Sequence, residues 1–213
     1  INKKNNNFFI KKISNKIIVS LDFELTKSQI NVLNDIETDL LSKKRMFRIL
    51  QGDVGSGKTI VSFLASSMAI ESGFQCAFMA PTEILARQHY DLSKKIFKDI
   101  KINIEFLSGK TEYKIKKRIF DDLKKGKIDL IIGTHALFQK KVFFKNLGLV
   151  IVDEQHKFGV KQRMRLAKKG GDNCDVLLMS ATPIPRSMMM TLFGDMDISK
   201  IIEKPINRKK TIT

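Results

Sequence analysis

The chain has 213 residues, 43% of them hydrophobic, and a formal net charge of +17 from 39 Lys and Arg against 22 Asp and Glu. That is enough apolar material for one large domain with a buried core, and no apolar run approaches the ~18 residues that span a membrane. Cys76 and Cys174, each inside an apolar run, read as small core residues; they argue against a disulfide scaffold and show no metal-ligand spacing.

The basic excess suits a polyanionic partner. It suits a compositional bias equally well, because only eight of the 39 basic residues are Arg while Asn and Ile are abundant, the pattern an AT-rich genome produces. Charge alone therefore does not establish nucleic-acid binding.

Residues 1–20, rich in Lys and Asn with scattered Ile and Phe, read as a linker or extended lead-in. The chain opens on Ile1 rather than Met and has no signal-peptide core. It is expected to be an excised piece of a longer protein, cytoplasmic by default. From Phe23 the pattern sharpens. Apolar runs recur at Phe47–Leu50, Gln75–Met79, Ile102–Leu107, Ile128–Ile132, Leu147–Val152 and Val176–Met179. Most are separated by charged stretches with helical spacing, such as Ile84, Leu85, Gln88, Leu92, Ile96 and then Ile115, Ile119, Leu123. Strands alternating with helices predict an α/β domain, a mostly parallel sheet with helices on both faces. Loops that do chemistry then emerge at the carboxyl ends of the strands.

The first run leads into Gln51-Gly52-Asp53-Val54-Gly55-Ser56-Gly57-Lys58-Thr59, a complete G-x-x-x-x-G-K-[ST] phosphate loop, followed by a helical stretch from Ile60 to Ile70. Gly52, Gly55 and Gly57 let the backbone curl, so that N–H groups of the loop, Asp53, Val54 and Ser56 included, point at phosphate oxygens. The following helix adds the partial positive charge of its N-terminus. Lys58 can reach the β- and γ-phosphates and the Thr59 hydroxyl can ligate Mg²⁺. The run Leu147–Val152 ends in Asp153-Glu154-Gln155-His156. Asp153 is placed to hold Mg²⁺, usually through water, and Glu154 to polarise a water toward the γ-phosphate. Together the two motifs describe hydrolysis of a nucleoside triphosphate rather than binding alone.

Asp-Glu-x-His after an apolar strand resembles the second motif of superfamily-two helicases and translocases. The longer segment Asp153-Glu154-Gln155-His156-Lys157-Phe158-Gly159-Val160 narrows this to a resemblance to the bacterial RecG fork-remodelling DNA helicases. Phe23-Glu24-Leu25-Thr26 with Gln29, Met79–Ala86, Gly133-Thr134-His135-Ala136-Leu137 and Ser180–Arg186 match in family order, so the likeness spans residues 21–213. Lys157, Asp22, Asn207 and Lys210 depart from the usual Arg, Pro, Gly and Pro; Lys157 keeps the charge and loses bidentate geometry.

The resemblance implies a first RecA-like ATP-binding domain over residues 21–203, with 204–213 beginning the linker to a second motor domain. It implies that Gln29 reads adenine. Pro81-Thr82, Ser108-Gly109 and Gly133-Thr134-His135 would grip the sugar-phosphate backbone of DNA; each loop also reads as a helix cap, with Thr82 and Thr134 as N-caps. His156 with Ser180 or Thr182 would couple nucleotide state to DNA grip. The implied partners are branched DNA and the parent protein's second RecA-like and wedge domains. Because the second domain carries the arginines that close on the γ-phosphate, this piece is expected to hydrolyse ATP poorly. Two other readings stay open: a transcription-repair coupling translocase, and a non-catalytic ATP- or DNA-binding remnant. A small-molecule P-loop kinase explains neither Gly133-Thr134-His135 nor Ser180-Ala181-Thr182.

Overall fold

The structure, a computed structural model, describes residues 11–153, 169–171, 174–182 and 196–203. In chain order these form α1 (Lys12–Ser20), α2 (Lys27–Leu41), β1 (Phe47–Gly52), α3 (Lys58–Glu71), β2 (Gln75–Met79), α4 (Glu83–Ile96), β3 (Ile104–Leu107), α5 (Tyr113–Lys125), β4 (Leu130–Gly133), a 3₁₀ turn (His135–Phe138), β5 (Leu147–Val152), β6 (Asp175–Ser180) and β7 (Asp197–Ile201). The strands make one seven-stranded sheet in the order β3-β4-β2-β5-β6-β1-β7, and every pairing is parallel.

A parallel strand buried on both faces sends alternate side chains into two cores. On one side Leu50, Phe78, Ile132, Ile151 and Leu177 pack with Ile17, Ile36 and Phe63 from α1, α2 and α3. On the other, Ile49, Ala77, Ile131, Val150 and Val176 pack with Ile119 and Leu123 of α5 and Leu137 of the 3₁₀ turn. The expected α/β class, parallel sheet and helices on both faces are found. Cys76 and Cys174 are buried and unbridged, and burial pushes the Cys76 thiol well up from its ordinary value.

Three local expectations need correction. Residues 12–20 are a helix, not an extended lead-in. Ile17 is buried beside α3, and the backbone N–H groups of Lys12 and Ile13 donate to the Glu71 carboxylate at 3.0 and 3.1 Å. That carboxylate satisfies donors at the start of α1 that have no intrahelical partner. In α4 the buried positions are Ala86, His89 and Ser93, while Ile84 is 73% exposed; the apolar stripe read from the sequence is rotated from the true inner face. Finally, β7 was not foreseen. It is short, with only Ser199 and Ile201 buried, and lies at the sheet edge.

Candidate functional site

Gly52 ends β1 and Lys58 opens α3, so the phosphate loop is the strand-to-helix connection itself. Gly57 is the N-cap of α3 at φ 90°, a left-handed conformation that favours glycine. A Cβ there would also collide with Gln29 Nε2. Lys58 is buried, and its Nζ donates to the carbonyls of Gly52 at 2.6 Å and Asp53 at 2.9 Å. The amide of Ser56 donates to Asp53 O at 3.1 Å. Ser56 Oγ is buried with no hydrogen-bond partner among the described residues, a polar atom turned into the loop. Val54 and Gly55 are exposed at its tip, and Thr59 is half-buried on the first turn of α3.

Asp153 follows β5, two places from β1 in the sheet, with β6 between. Its amide donates to Met79 O at 2.8 Å, continuing the β2–β5 ladder and fixing the backbone. Asp153 is 8% exposed, and its carboxylate lies 2.8 Å from His89 Nε2. Ser180 ends the intervening strand. Its Oγ lies 3.2 Å from Thr182 Oγ1 and accepts from Thr182 N at 3.3 Å, and Gln51 Nε2 donates to Thr182 O at 3.1 Å. The end of β6 is thus tied to the end of β1, directly before the phosphate loop. Glu154 and His156 lie outside the described residues.

Among the described residues no group of three or more His, Cys, Asp and Glu could hold a metal ion by itself. Thr59 and Asp153 offer a hydroxyl and a carboxylate. Such a sparse oxygen set fits a hard divalent ion that keeps water and takes its remaining ligands from phosphate.

Gln29, on the first turn of α2, is fully buried. Thr26 and Gln29 form a capping box on α2, with Thr26 N donating to Gln29 Oε1 at 2.9 Å and Gln29 N to Thr26 Oγ1 at 3.2 Å. Gln29 Nε2 donates to Ser56 O at 2.8 Å, tying α2 to the phosphate loop.

The expected DNA-contact loops leave β2, β3 and β4, which are neighbours at one end of the sheet. Thr82, Gly109 and His135 are exposed, Pro81 is half-buried, and Ser108, Gly133 and Thr134 are buried. Thr82 caps α4, its Oγ1 accepting from Leu85 N at 3.2 Å. Thr134 occupies the N-cap position of the 3₁₀ turn without a side-chain cap bond, so its expected capping role is corrected. Lys116 Nζ of α5 donates to Gly109 O at 2.7 Å, tying α5 to the loop after β3.

The motif spacing and this geometry now meet the known proteins. A model of the family described as DEAD/DEAH box helicase matches residues 26–191. The chain belongs to the DEAD/DEAH box helicase family. It is 51% identical over 202 residues to the ATP-dependent DNA helicase RecG of Thermotoga maritima, a match covering 95% of this chain and 26% of that protein. A solved structure of RecG bound to a three-way DNA junction superposes with a TM-score of 0.83 at 47% identity, over 98% of this chain and 27% of that one. The DEAD-box helicase Mss116 bound to single-stranded RNA shares the fold, with a TM-score of 0.72 at 19% identity over 95% of this chain and 46% of its own. The likeness to RecG read from the motifs is therefore found. The chain spans about a quarter of the length of its RecG relatives.

His89 was missed by sequence reasoning. A signal existed: Gln88-His89 falls within an otherwise amphipathic helix, and assigning Gln88 to the inner face put His89 outside it. No helix among the described residues is long and apolar enough to cross a membrane.

Proposed function

We propose that this chain is the ATP-binding motor domain of a cytoplasmic DNA helicase that couples ATP hydrolysis to remodelling of forks and junctions in recombination and repair. The likeness to a RecG caught on a three-way DNA junction carries this reading. The grouping of phosphate loop, Asp153 and Ser180 at the ends of three adjacent strands, β1, β5 and β6, supports it chemically. In this reading Lys58 binds the β- and γ-phosphates and Thr59 and Asp153 hold Mg²⁺. The ion supplies charge neutralisation at the phosphates. Glu154 orients and deprotonates the attacking water. Gln29 holds the adenine while bracing the loop through Ser56.

The loops after β2, β3 and β4 contribute Pro81, Thr82, Ser108, Gly109, Gly133, Thr134 and His135 to one DNA strand, through contacts that ignore sequence. Ser180 and Thr182, with His156, carry nucleotide state toward that surface; the Gln51–Thr182 bond favours this, as it joins the end of β6 to the entry of the phosphate loop.

A second RecA-like domain and a wedge domain complete the machine, and the second domain supplies the arginine that stabilises charge in the transition state. Such a residue contributes about 10³–10⁵ in rate in comparable phosphoryl transfer, so the 213-residue chain alone turns over ATP slowly. The test is steady-state ATP hydrolysis with and without forked DNA, alongside binding of a fluorescent ATP analogue, for wild type and Lys58→Ala. Binding that depends on Lys58 with negligible turnover is the expected result. Brisk DNA-stimulated turnover by the chain alone would contradict the incomplete-motor reading, and absence of binding would contradict the ATPase reading altogether.

A further inference from the structure

A carboxylate that meets a metal through water acts only if its oxygens face the right way, and a side chain on a strand end has two torsions to set. In this fold a helix from elsewhere in the sequence sets them for Asp153. His89 stands on the inner face of α4, 9% exposed, with Nε2 2.8 Å from Asp153 Oδ2. A carboxylate accepts hydrogen bonds, which makes Nε2 the donor in this contact.

The imidazole is itself held in place. Its ring lies against Phe78 of β2, centroids 4.6 Å apart, and Phe78 lies against Phe63 of α3, centroids 5.4 Å apart. Both phenylalanines are fully buried. The series Phe63, Phe78, His89, Asp153 thus runs from the helix that carries Lys58 to the carboxylate across the site. Packed aromatic rings have few alternative positions, so the histidine is a rigid donor rather than a mobile one.

We propose that His89 is a positioning residue for magnesium: by holding Oδ2 of Asp153, it keeps the carboxylate in the orientation that binds the hydrated ion. This rests on the ATPase reading above. It gives α4 a task that neither the phosphate loop nor the Asp-Glu-x-His segment encodes, and it places one determinant of metal affinity 64 residues before the carboxylate it serves.

The test is binding of a fluorescent ATP analogue to the 213-residue chain, titrated with Mg²⁺ and repeated in EDTA. The variants are His89→Ala, His89→Leu and His89→Gln. Leu fills the volume without donating, so it keeps α4 packed where Ala leaves a cavity; Gln can present an Nε2–H near the same place. The expected result is that Leu and Ala raise the Mg²⁺ concentration for half-maximal binding about tenfold. Affinity in EDTA should stay at the wild-type value, and Gln should recover part of the shift. A merely structural histidine would lower the melting temperature of Leu and Ala and leave the Mg²⁺ midpoint of the folded protein unmoved; that outcome overturns the proposal. Equal weakening with and without Mg²⁺ overturns it too. If wild type shows no Mg²⁺-dependent nucleotide binding while Lys58→Ala behaves identically, the ATPase reading fails and this inference falls with it.

Discussion

Gln29 donates through Nε2 to the carbonyl of Ser56 at 2.8 Å, fastening the first turn of α2 to the phosphate loop. The other end of the amide accepts from Thr26 N, so one buried side chain braces a helix start and a ligand loop at once. Gln29→Ala should therefore weaken the protein before any nucleotide is added. Leaving Thr26 N and Ser56 O unpaired costs about 1–3 kcal/mol, visible as a lower denaturant midpoint of the nucleotide-free chain. Wild-type stability in that variant, with a loss confined to adenine binding, would mean the bonds to Thr26 and Ser56 contribute nothing.

Much of the fold was legible because buried parallel strands are rich in apolar residues, and β1 to β6 each coincide with an apolar run of the sequence. The exception shows where such reading fails. In β7 the deciding residue is Ser199, buried not by hydrophobicity but by a polar network. Arg48 Nη1 donates to Ser199 Oγ at 2.6 Å, Ser199 Oγ to Asp35 Oδ2 at 2.7 Å, and Arg48 Nε to Asp39 Oδ2 at 2.6 Å. No periodicity announces a network that joins β1, β7 and α2. The candidate site divides in the same way: the phosphate loop and the end of β5 are local sequence, whereas His89 reaches Asp153 only through packing. Arg48→Met tests the network. Removing the partner of partly exposed acids should cost toward the lower end of about 3–5 kcal/mol, read by chemical denaturation; a change below about 0.5 kcal/mol, the usual range for surface substitutions, would show the network to be idle.

Gly133 illustrates a motif residue whose identity is set by packing. It ends β4, and a Cβ built there would run into the backbone carbonyl of Leu107 on β3 and crowd Leu137. A backbone atom cannot yield as a flexible side chain can. Gly133→Ala should therefore destabilise the domain by at least about 1–3 kcal/mol. Gly73 is the control: it has φ 82° with nothing within 4 Å of an added Cβ, so Gly73→Ala bears only the cost of the left-handed conformation, about 1–2 kcal/mol. Equal thermal shifts in the two variants would count against the steric account.

Glu203 predicts a pH dependence. The backbone N–H and hydroxyl of Ser28 both point at its Oε2, at 3.1 and 3.3 Å, so it supplies the acidic group that the first turn of α2 lacks. The Ser28 backbone hydrogen bond, as the largest cause, holds the Glu203 carboxyl below its ordinary value of 4.5. A depressed folded value means stabilisation that is present above the unfolded value and lost as pH falls through the folded one. Melting temperatures of wild type and Glu203→Ala should differ at neutral pH and converge as the pH drops below about 4.5. A gap that widens on acidification would refute this.

Thr82 and Thr134 both stand at N-cap positions, on the helix after β2 and the 3₁₀ turn after β4, yet the structure separates their roles. Thr82 Oγ1 caps α4 by accepting from Leu85 N, so Thr82→Ala should cost about 1 kcal/mol of stability. Thr134 Oγ1 is buried and has no partner among the described residues. Replacing it with valine keeps the shape and removes an unsatisfied hydroxyl, so Thr134→Val should leave stability unchanged or raise it slightly. If the loop after β4 grips DNA as proposed, that same variant loses one hydrogen bond to a charged phosphate, worth about 1.5–3 kcal/mol, and binds forked DNA at least tenfold more weakly. Unfolding curves and fluorescence anisotropy on the two variants separate these effects. A Thr134→Val chain that melts like wild type and binds DNA like wild type removes Thr134 from the DNA surface. One that loses stability shows that the hydroxyl already has a partner inside the fold.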